Sequence, residues 1–353
     1  MALALLLNVI NSFSLYVDMI KKIVGHFKHS PLAYSRLEDL QDELKITPKR
    51  LQQDVQTRWS STRRMIDSLL HQKWALHASS SEYNLPGILT GNQWGLLEKT
   101  SKVLAPFQEL TTNVSAASAT AADVIPSVHV LIRFLSKESE DDQGIQTMKA
   151  ALLDAVRRRF GDVESEPLYA LATLLDPGYK DKYFTNAHTS GHAKEALKAE
   201  VVKTEEALET RPPCDETVSE PAEKTPRTED AGSSLGSIFH ETLEENRAAA
   251  GPSEHITPGA LLEIESYFSK ALLERKNNPL HYWGVNRAPF PTLATTAAEF
   301  LCAPCTSVES ERLFNTASLI VETRSRLTAE HAEMLIFLEK ENLHSMLGLQ
   351  KVE

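Results

Sequence analysis

Apolar positions recur at helical spacing along almost the whole chain. Leu15, Met19, Ile20, Ile23, Val24 and Phe27 share one face of a 3.6-residue period and predict a helix that Pro31 ends or kinks. Thr47 followed by Pro48 is the signature of a helix start, with proline at the first helical position. Met65, Ile66, Leu69, Leu70 and Trp74 form a second stripe. Residues 92–110 predict a further helix, broken near Pro106. Helices are also expected over 124–135, over 148–161 with Gly161 as its stop, and over 168–177, halted by Asp176-Pro177. The first ten residues, MALALLLNVI, read as the start of a buried helix, since the run is too short to span a bilayer and has no basic lead-in. A core-like helix with no lead-in is the pattern of a chain that starts inside a domain.

The pattern then changes. From about Asn186 to His255 aromatics nearly vanish while Glu, Pro, Ser and Thr accumulate, which predicts an acidic linker, with one weak helix near Ile238–Arg247. Periodicity returns after Thr257-Pro258, a second helix-start signature. The stripe Leu261, Leu262, Ile264, Tyr267, Phe268 and Leu272 leads through the aromatic loop 278–291 into three closing helices at 292–302, 307–322 and 329–343. No alternating run of four or more residues stands out, so any sheet is small. The organisation expected is a helical region over 1–185, an acidic linker over 186–256, and a closing helical region over 257–345.

Charge refines this picture. The net charge of -11 argues against a surface that grips phosphate all round. Residues 204–230 alone carry -6, however, which leaves -5 for everything else and room for a local basic site. Three cysteines, Cys214, Cys302 and Cys305, give no disulfide framework and suit a reducing compartment. Cys302 and Cys305 have C-x-x-C spacing, but no second ligand pair follows as a zinc site requires. They read as two small apolar residues near a helix end. His26 and His29 have no acid or thiol at ligand spacing. The basic run 157–160 sits at a helix C-terminus, where the dipole alone accounts for it. Asn113-Val-Ser115 is a glycosylation sequon that matters only in a secreted protein. No P-loop, G-x-G-x-x-G or G-x-S-x-G occurs, so no cofactor is implied.

Two stretches carry candidate chemistry. In TSVESERLFNTASLIVETRSRL, Thr306 and Glu309 have capping-box spacing, and Leu313, Phe314, Ala317, Ile320 and Val321 share a face. Glu311 lies off that face in the first turn, where the dipole favours a carboxylate, so it reads either as a catalytic acid or as a helix-start acid. Thr328 caps the next helix, whose Leu335, Ile336, Leu338 and Leu343 add apolar surface that finishes a core or meets another subunit. In DVQTRWSSTRRMIDSLL, Trp59 stands beside Arg58, with Arg63 and Arg64 one turn later. An indole among arginines can stack an unpaired base while the guanidiniums meet phosphates; a core tryptophan with solvated arginines is the plainer reading.

These blocks, with LATLLDPGYKDKYF between them and FPTLATTAAEFLCAPC ahead of the last, resemble the hAT superfamily of DNA transposases, and most closely their host-domesticated zinc-finger BED-type relatives. The resemblance covers roughly 20–185 and 257–345. It implies a mainly α fold: a helical insertion domain, an incomplete RNase H-like core remnant, and C-terminal dimerisation helices. It implies that Arg58 and Trp59 contact DNA, and that Glu311 matches the third metal-binding acid. Asn315 stands where the family usually has Ser, and Ser318 where it has Gly. The family's first two acids and its BED zinc finger would lie upstream of this chain's start. Two metal ions need several converging carboxylates, and one acid cannot hold them. Glu311 is therefore expected to be vestigial and the protein non-enzymatic. It is expected to form a homodimer, or a heterodimer with related transposase-derived proteins, in the nucleus, with residual DNA binding and no membrane association. A DNA-binding regulator using Arg58 and Trp59 is the alternative reading, and an active transposase with upstream acids the third. Leu313, Phe314, Ile320, Val321, Leu335 and Leu338 are the residues expected to form core or interface.

Overall fold

A computed structural model of the chain describes residues 14–55, 59–82, 87, 89–210, 259–274, 277–323 and 328–340. Fourteen α-helices and no strand occur among them; the one extended pairing is an isolated antiparallel bridge between Thr120 and Pro304. The fold is mainly helical, as the periodicity predicts, and the RNase H-like remnant shows no sheet among the described residues.

The N-terminal part holds α1 (Ser14–His29), α2 (Pro31–Glu43), α3 (Trp59–His71), α4 (Lys73–Glu82) and α5 (Gly91–Val114). Ile20, Ile23, Val24 and Phe27 of α1 are buried with Met65, Ile66 and Leu69 of α3. Pro31 begins a helix as well as ending one: Ser30 accepts a bond from the Ala33 amide, and the proline takes the first position of α2. Thr47-Pro48 does not start a helix. Residues 46–55 form an irregular strap along α3, because side chains of α3 satisfy the strap's backbone. His71 meets the Thr47 carbonyl, Gln72 donates to the Lys49 carbonyl, and Ser68 and Ser61 accept from the amides of Gln52 and Val55.

Two further expectations in this region are corrected. The stripe ending in Trp74 breaks at Gln72, which is wholly buried, accepts a bond from Gln41 and closes a tight turn back to Leu69. One helix ends at His71 and the next begins at Lys73, and Trp74 is 68% exposed. Pro106 does not break α5. It is buried mid-helix among Val103, Leu104, Phe107 and Leu110, whose burial offsets the roughly 3 kcal/mol that an interior proline costs. The start of α5 is a capping box between Thr90 and Gln93.

Next come α6 (Val124–Ser136), α7 (Gln146–Phe160), α8 (Pro167–Leu175), α9 (Ala187–Glu209), α10 (Gly259–Ser269), α11 (Pro279–Val285) and α12 (Pro291–Leu301). The first part of the expected linker is instead α9, capped by Asn186 and anchored by Ala193, Leu197 and Val201 at four-residue intervals. Residues 211–258, which include the expected weak helix and Thr257-Pro258, lie outside the described residues.

Helix α8 is the centre of this part. Ala170 to Leu175 are all buried, and α6, α9 and α12 pack around them. Pro177 has no amide to reach back into α8, and the Gly178 amide bonds to the Asp176 carboxylate. The last carbonyls at the buried C-terminal end of the helix are capped from far along the chain. The Tyr267 hydroxyl donates to the Leu174 carbonyl at 3.0 Å, and the Trp283 indole N–H to the Leu175 carbonyl at 2.8 Å. In return Lys180, at φ 50°, donates to the carbonyls of Tyr267 and Lys270 at the C-terminal end of α10. Tyr179 donates to Asp123 at 2.7 Å. The LATLLDPGYKDKYF block is thus a polar clasp that joins the middle of the chain to its last third.

The chain closes with α13 (Val308–Thr323) and α14 (Ala329–Lys340), which pack against each other.

Candidate functional site

The closing hairpin is tied to the body by backbone. The Ala121 amide donates to the Ala303 carbonyl at 2.9 Å, the Cys305 amide to the Ala119 carbonyl at 3.3 Å, and the Thr306 hydroxyl to the Val114 carbonyl at 3.3 Å. The C-x-x-C segment is therefore a docking turn, and neither Cys302 nor Cys305 is in a disulfide. While its proton goes to Val114, the Thr306 oxygen accepts from the Val308 amide at 3.4 Å at the start of α13. Ser307 precedes the helix, and its hydroxyl donates to Glu311 Oε1 at 3.0 Å. Glu311 is exposed and sits in the first turn, the position where the helix dipole favours an anion. Among the described residues no group of three or more His, Cys, Asp or Glu is placed to hold a metal ion. Thr328 caps α14 as expected, accepting a bond from the His331 amide.

The hairpin divides the expected interface residues. Leu313 and Leu335 are half-buried, as are Ala317, Ala332 and Ile336, on two helices that pack against each other. Phe314 is 70% exposed, Met334 62% and Phe337 58%. Met334 and Phe337 extend the apolar surface and were not singled out by the sequence pattern, because a 3.6-residue stripe does not say which side of it a two-helix hairpin covers. Ile320, Val321 and Leu338 belong to α13 and α14, and their side chains lie outside the described residues.

The expected arginine–tryptophan cluster is described only in part, the side chain of Trp59 lying outside the described residues. Arg58 lies outside the described residues, and Trp59 is the first residue of α3. Arg63 is committed to α5: it donates to Gln108 at 2.8 Å and lies 3.5 Å from Asp67, which in turn accepts from Ser101. Arg64 is exposed and folds back onto Ser60. Ahead of these residues a cleft is lined by Lys21, Val24, Gln53, Asp54 and Met65. Asp54 is buried there. Burial alone would raise its carboxyl, but bonds from Ser61, Lys21 and Thr62 outweigh that and hold it below the usual carboxylate range. No helix among the described residues is long and apolar enough to cross a membrane.

The comparisons with known proteins fall on the same two parts of the molecule. Residues 263–342 match the hAT family C-terminal dimerisation region, and residues 4–103 match the ZBED1 RNase-like helical domain. The hAT match lies in the closing part of the chain and the RNase-like helical match in its first part. Similar proteins include human zinc finger BED domain-containing protein 4, 31% identical over 327 residues, which is 92% of this chain and 27% of that protein. Zinc finger BED domain-containing protein 6 of mouse is 29% identical over 92% of this chain and 35% of its own length, and its human counterpart 27% over 94% and 34%. The chain thus spans about a quarter to a third of the length of these relatives.

Proposed function

We propose that this chain is a non-enzymatic, transposase-derived protein whose closing helices mediate association with a second copy of itself or with a related transposase-derived protein. The observation that carries the reading is the exposure of three large apolar side chains, Phe314, Met334 and Phe337, on the two helices inside the matched dimerisation region. Taken twice across a two-fold axis, six side chains of roughly 150–200 Å² each, about two-thirds exposed, bring about 600–800 Å² toward the ~1,600 Å² of a standard interface. Half-buried Leu313 and Leu335 keep the hairpin together, and Ile320, Val321 and Leu338 lie on the same two helices.

The non-catalytic part of the reading is supported by Glu311, whose one described side-chain partner is the hydroxyl before its own helix. The relatives' zinc finger BED domains favour a nuclear protein that works near DNA. A second reading, DNA contact through Arg58 and Trp59 with Arg64 beside them, keeps its support in the exposed Arg64 and the polar cleft just ahead. Arg63 drops out of it.

Light scattering on a size-exclusion column tests the leading reading. The wild type should run as a dimer at micromolar concentration, and Phe314→Ser with Phe337→Ser as a folded monomer. A wild type that stays monomeric at high concentration, or a double variant that still dimerises, sinks it.

A further inference from the structure

We infer that Trp74 and the basic strap beside it form a binding site for unpaired nucleotides, separate from the Arg58–Trp59 element. At about 100° per residue Trp74 falls on the side away from the buried face of Met65, Ile66 and Leu69, and it is exposed on the surface. Gln72 falls on that face and is buried, its amide spanning Gln41 and the Lys49 carbonyl.

The same bonds bring the basic residues to that end of α3. His71 holds Thr47 and Gln72 holds Lys49, so the strap crosses the helix within two or three residues of Trp74. Lys45, Lys49 and Arg50 are exposed on the strap, and Lys28 reaches it through Gln53. Among the described residues none of these four cations forms an ion pair with a carboxylate; Arg50 lies 5.7 Å from the Tyr34 ring. The one acid within the strap, Asp54, is buried against Lys21. Just before the strap Glu43 pairs with Arg36, Asp42 is exposed, and Glu38 lies near Tyr34, to which Arg50 is hydrogen-bonded.

A fixed backbone that displays several cations beside a flat, uncovered indole fits a ligand with anionic links and flat apolar faces. Single-stranded nucleic acid has that chemistry: phosphates for the cations and a base for the indole. A duplex offers the phosphates but keeps its bases stacked, so the indole should discriminate between the two.

The test measures fluorescence anisotropy of a labelled oligothymidylate of about a dozen nucleotides, and of a duplex of equal length, with the full chain. The wild type should favour the single strand. Trp74→Ala should weaken single-strand binding roughly tenfold and leave duplex binding and the unfolding midpoint unchanged. Lys49→Glu with Arg50→Glu should weaken both and lower the salt slope for the single strand by about 1.4. No single-strand binding at low salt overturns the inference, as does equal affinity of Trp74→Ala and wild type. Loss on Trp59→Ala with none on Trp74→Ala overturns it while leaving the Arg58–Trp59 reading intact. Loss of self-association on Trp74→Ala would give the face to a second copy and also overturn it.

Discussion

Tyr267→Phe isolates the clasp at the end of α8. Tyr267 and Leu174 are both fully buried, and the single polar contact between them is the 3.0 Å bond from hydroxyl to carbonyl. Phenylalanine keeps the ring and its packing on Trp283 and Phe268, so the change removes one donor and little volume. Pro177 supplies no amide, and the Gly178 amide is taken by Asp176, so the Leu174 carbonyl has no replacement. A buried carbonyl left unsatisfied costs about 1–3 kcal/mol, which is the expected loss. Trp283→Phe removes the neighbouring cap on Leu175 and leaves a void, with an expected loss of about 2–4 kcal/mol. Both caps close one helix end, so the double variant should depart from additivity by about 0.5 kcal/mol or more. Urea unfolding followed by far-UV circular dichroism measures all three. A Tyr267→Phe variant within about 0.5 kcal/mol of wild type would refute the claim that α8 depends on this distant hydroxyl.

Three other outcomes follow from the same reading. Asp54→Asn should cost about 1–2 kcal/mol, because Ser61 and Thr62 lose an anionic acceptor while Lys21 can still reach water. Since the Asp54 carboxyl is held low when folded, its contribution is present above the unfolded value near 3.9 and is lost as pH falls through the folded one; acid unfolding of Asp54→Asn should therefore be shallower than wild type. Burial pushes Lys180 down to about 8 from the ordinary lysine value, so the unfolded chain binds its proton more tightly, and stability should rise between pH 8 and about 10.4. Lys180→Met should flatten that rise in a series of urea midpoints against pH. Glu311→Gln should cost no more than about 1 kcal/mol and leave the dimer intact; a large loss of association would give Glu311 a role beyond its own helix start.

Periodicity carried most of the helices. The stripes of α1, α6, α8 and α12, and the proline and threonine signals at their ends, are local properties, and local properties are written in local sequence. What escaped it depends on residues far apart. Trp74 reads as part of a stripe, yet it lies off the face of Met65, Ile66 and Leu69, and Gln72, bonded to Gln41 thirty-one positions earlier, is buried there instead. Thr306 reads as a residue serving its own helix start, yet its hydroxyl also ties that helix to the Val114 carbonyl, 192 positions away. Thr47-Pro48 looks like a helix start until α3 supplies partners for an extended backbone instead. The error at α9 is of another kind: Ala193, Leu197 and Val201 were in plain view, and the acidic composition around them outweighed a short stripe. The candidate sites suffered most, because a basic residue reads the same in sequence whether it faces solvent, like Arg64, or is spent inside, like Arg63.

The place where the hairpin joins the body links the two surfaces. Helix α13 follows a turn whose backbone is bonded to residues 119–121, and Thr306 is bonded to the end of α5. The start of α5 lies in the region matched to the RNase-like helical domain, and its middle is joined to α3 through Arg63 and Gln108. One long helix of roughly 36 Å therefore connects the strap region to the base of the association hairpin. Pro106 in its interior adds no break, so a rigid link is what the packing provides. A second copy held by Phe314 and Phe337 would then fix the spacing between two Trp74 sites. Two such sites on one strand raise the effective concentration of the second contact, and the monomeric Phe314→Ser, Phe337→Ser variant should bind long single strands more weakly than wild type while binding a short one equally well.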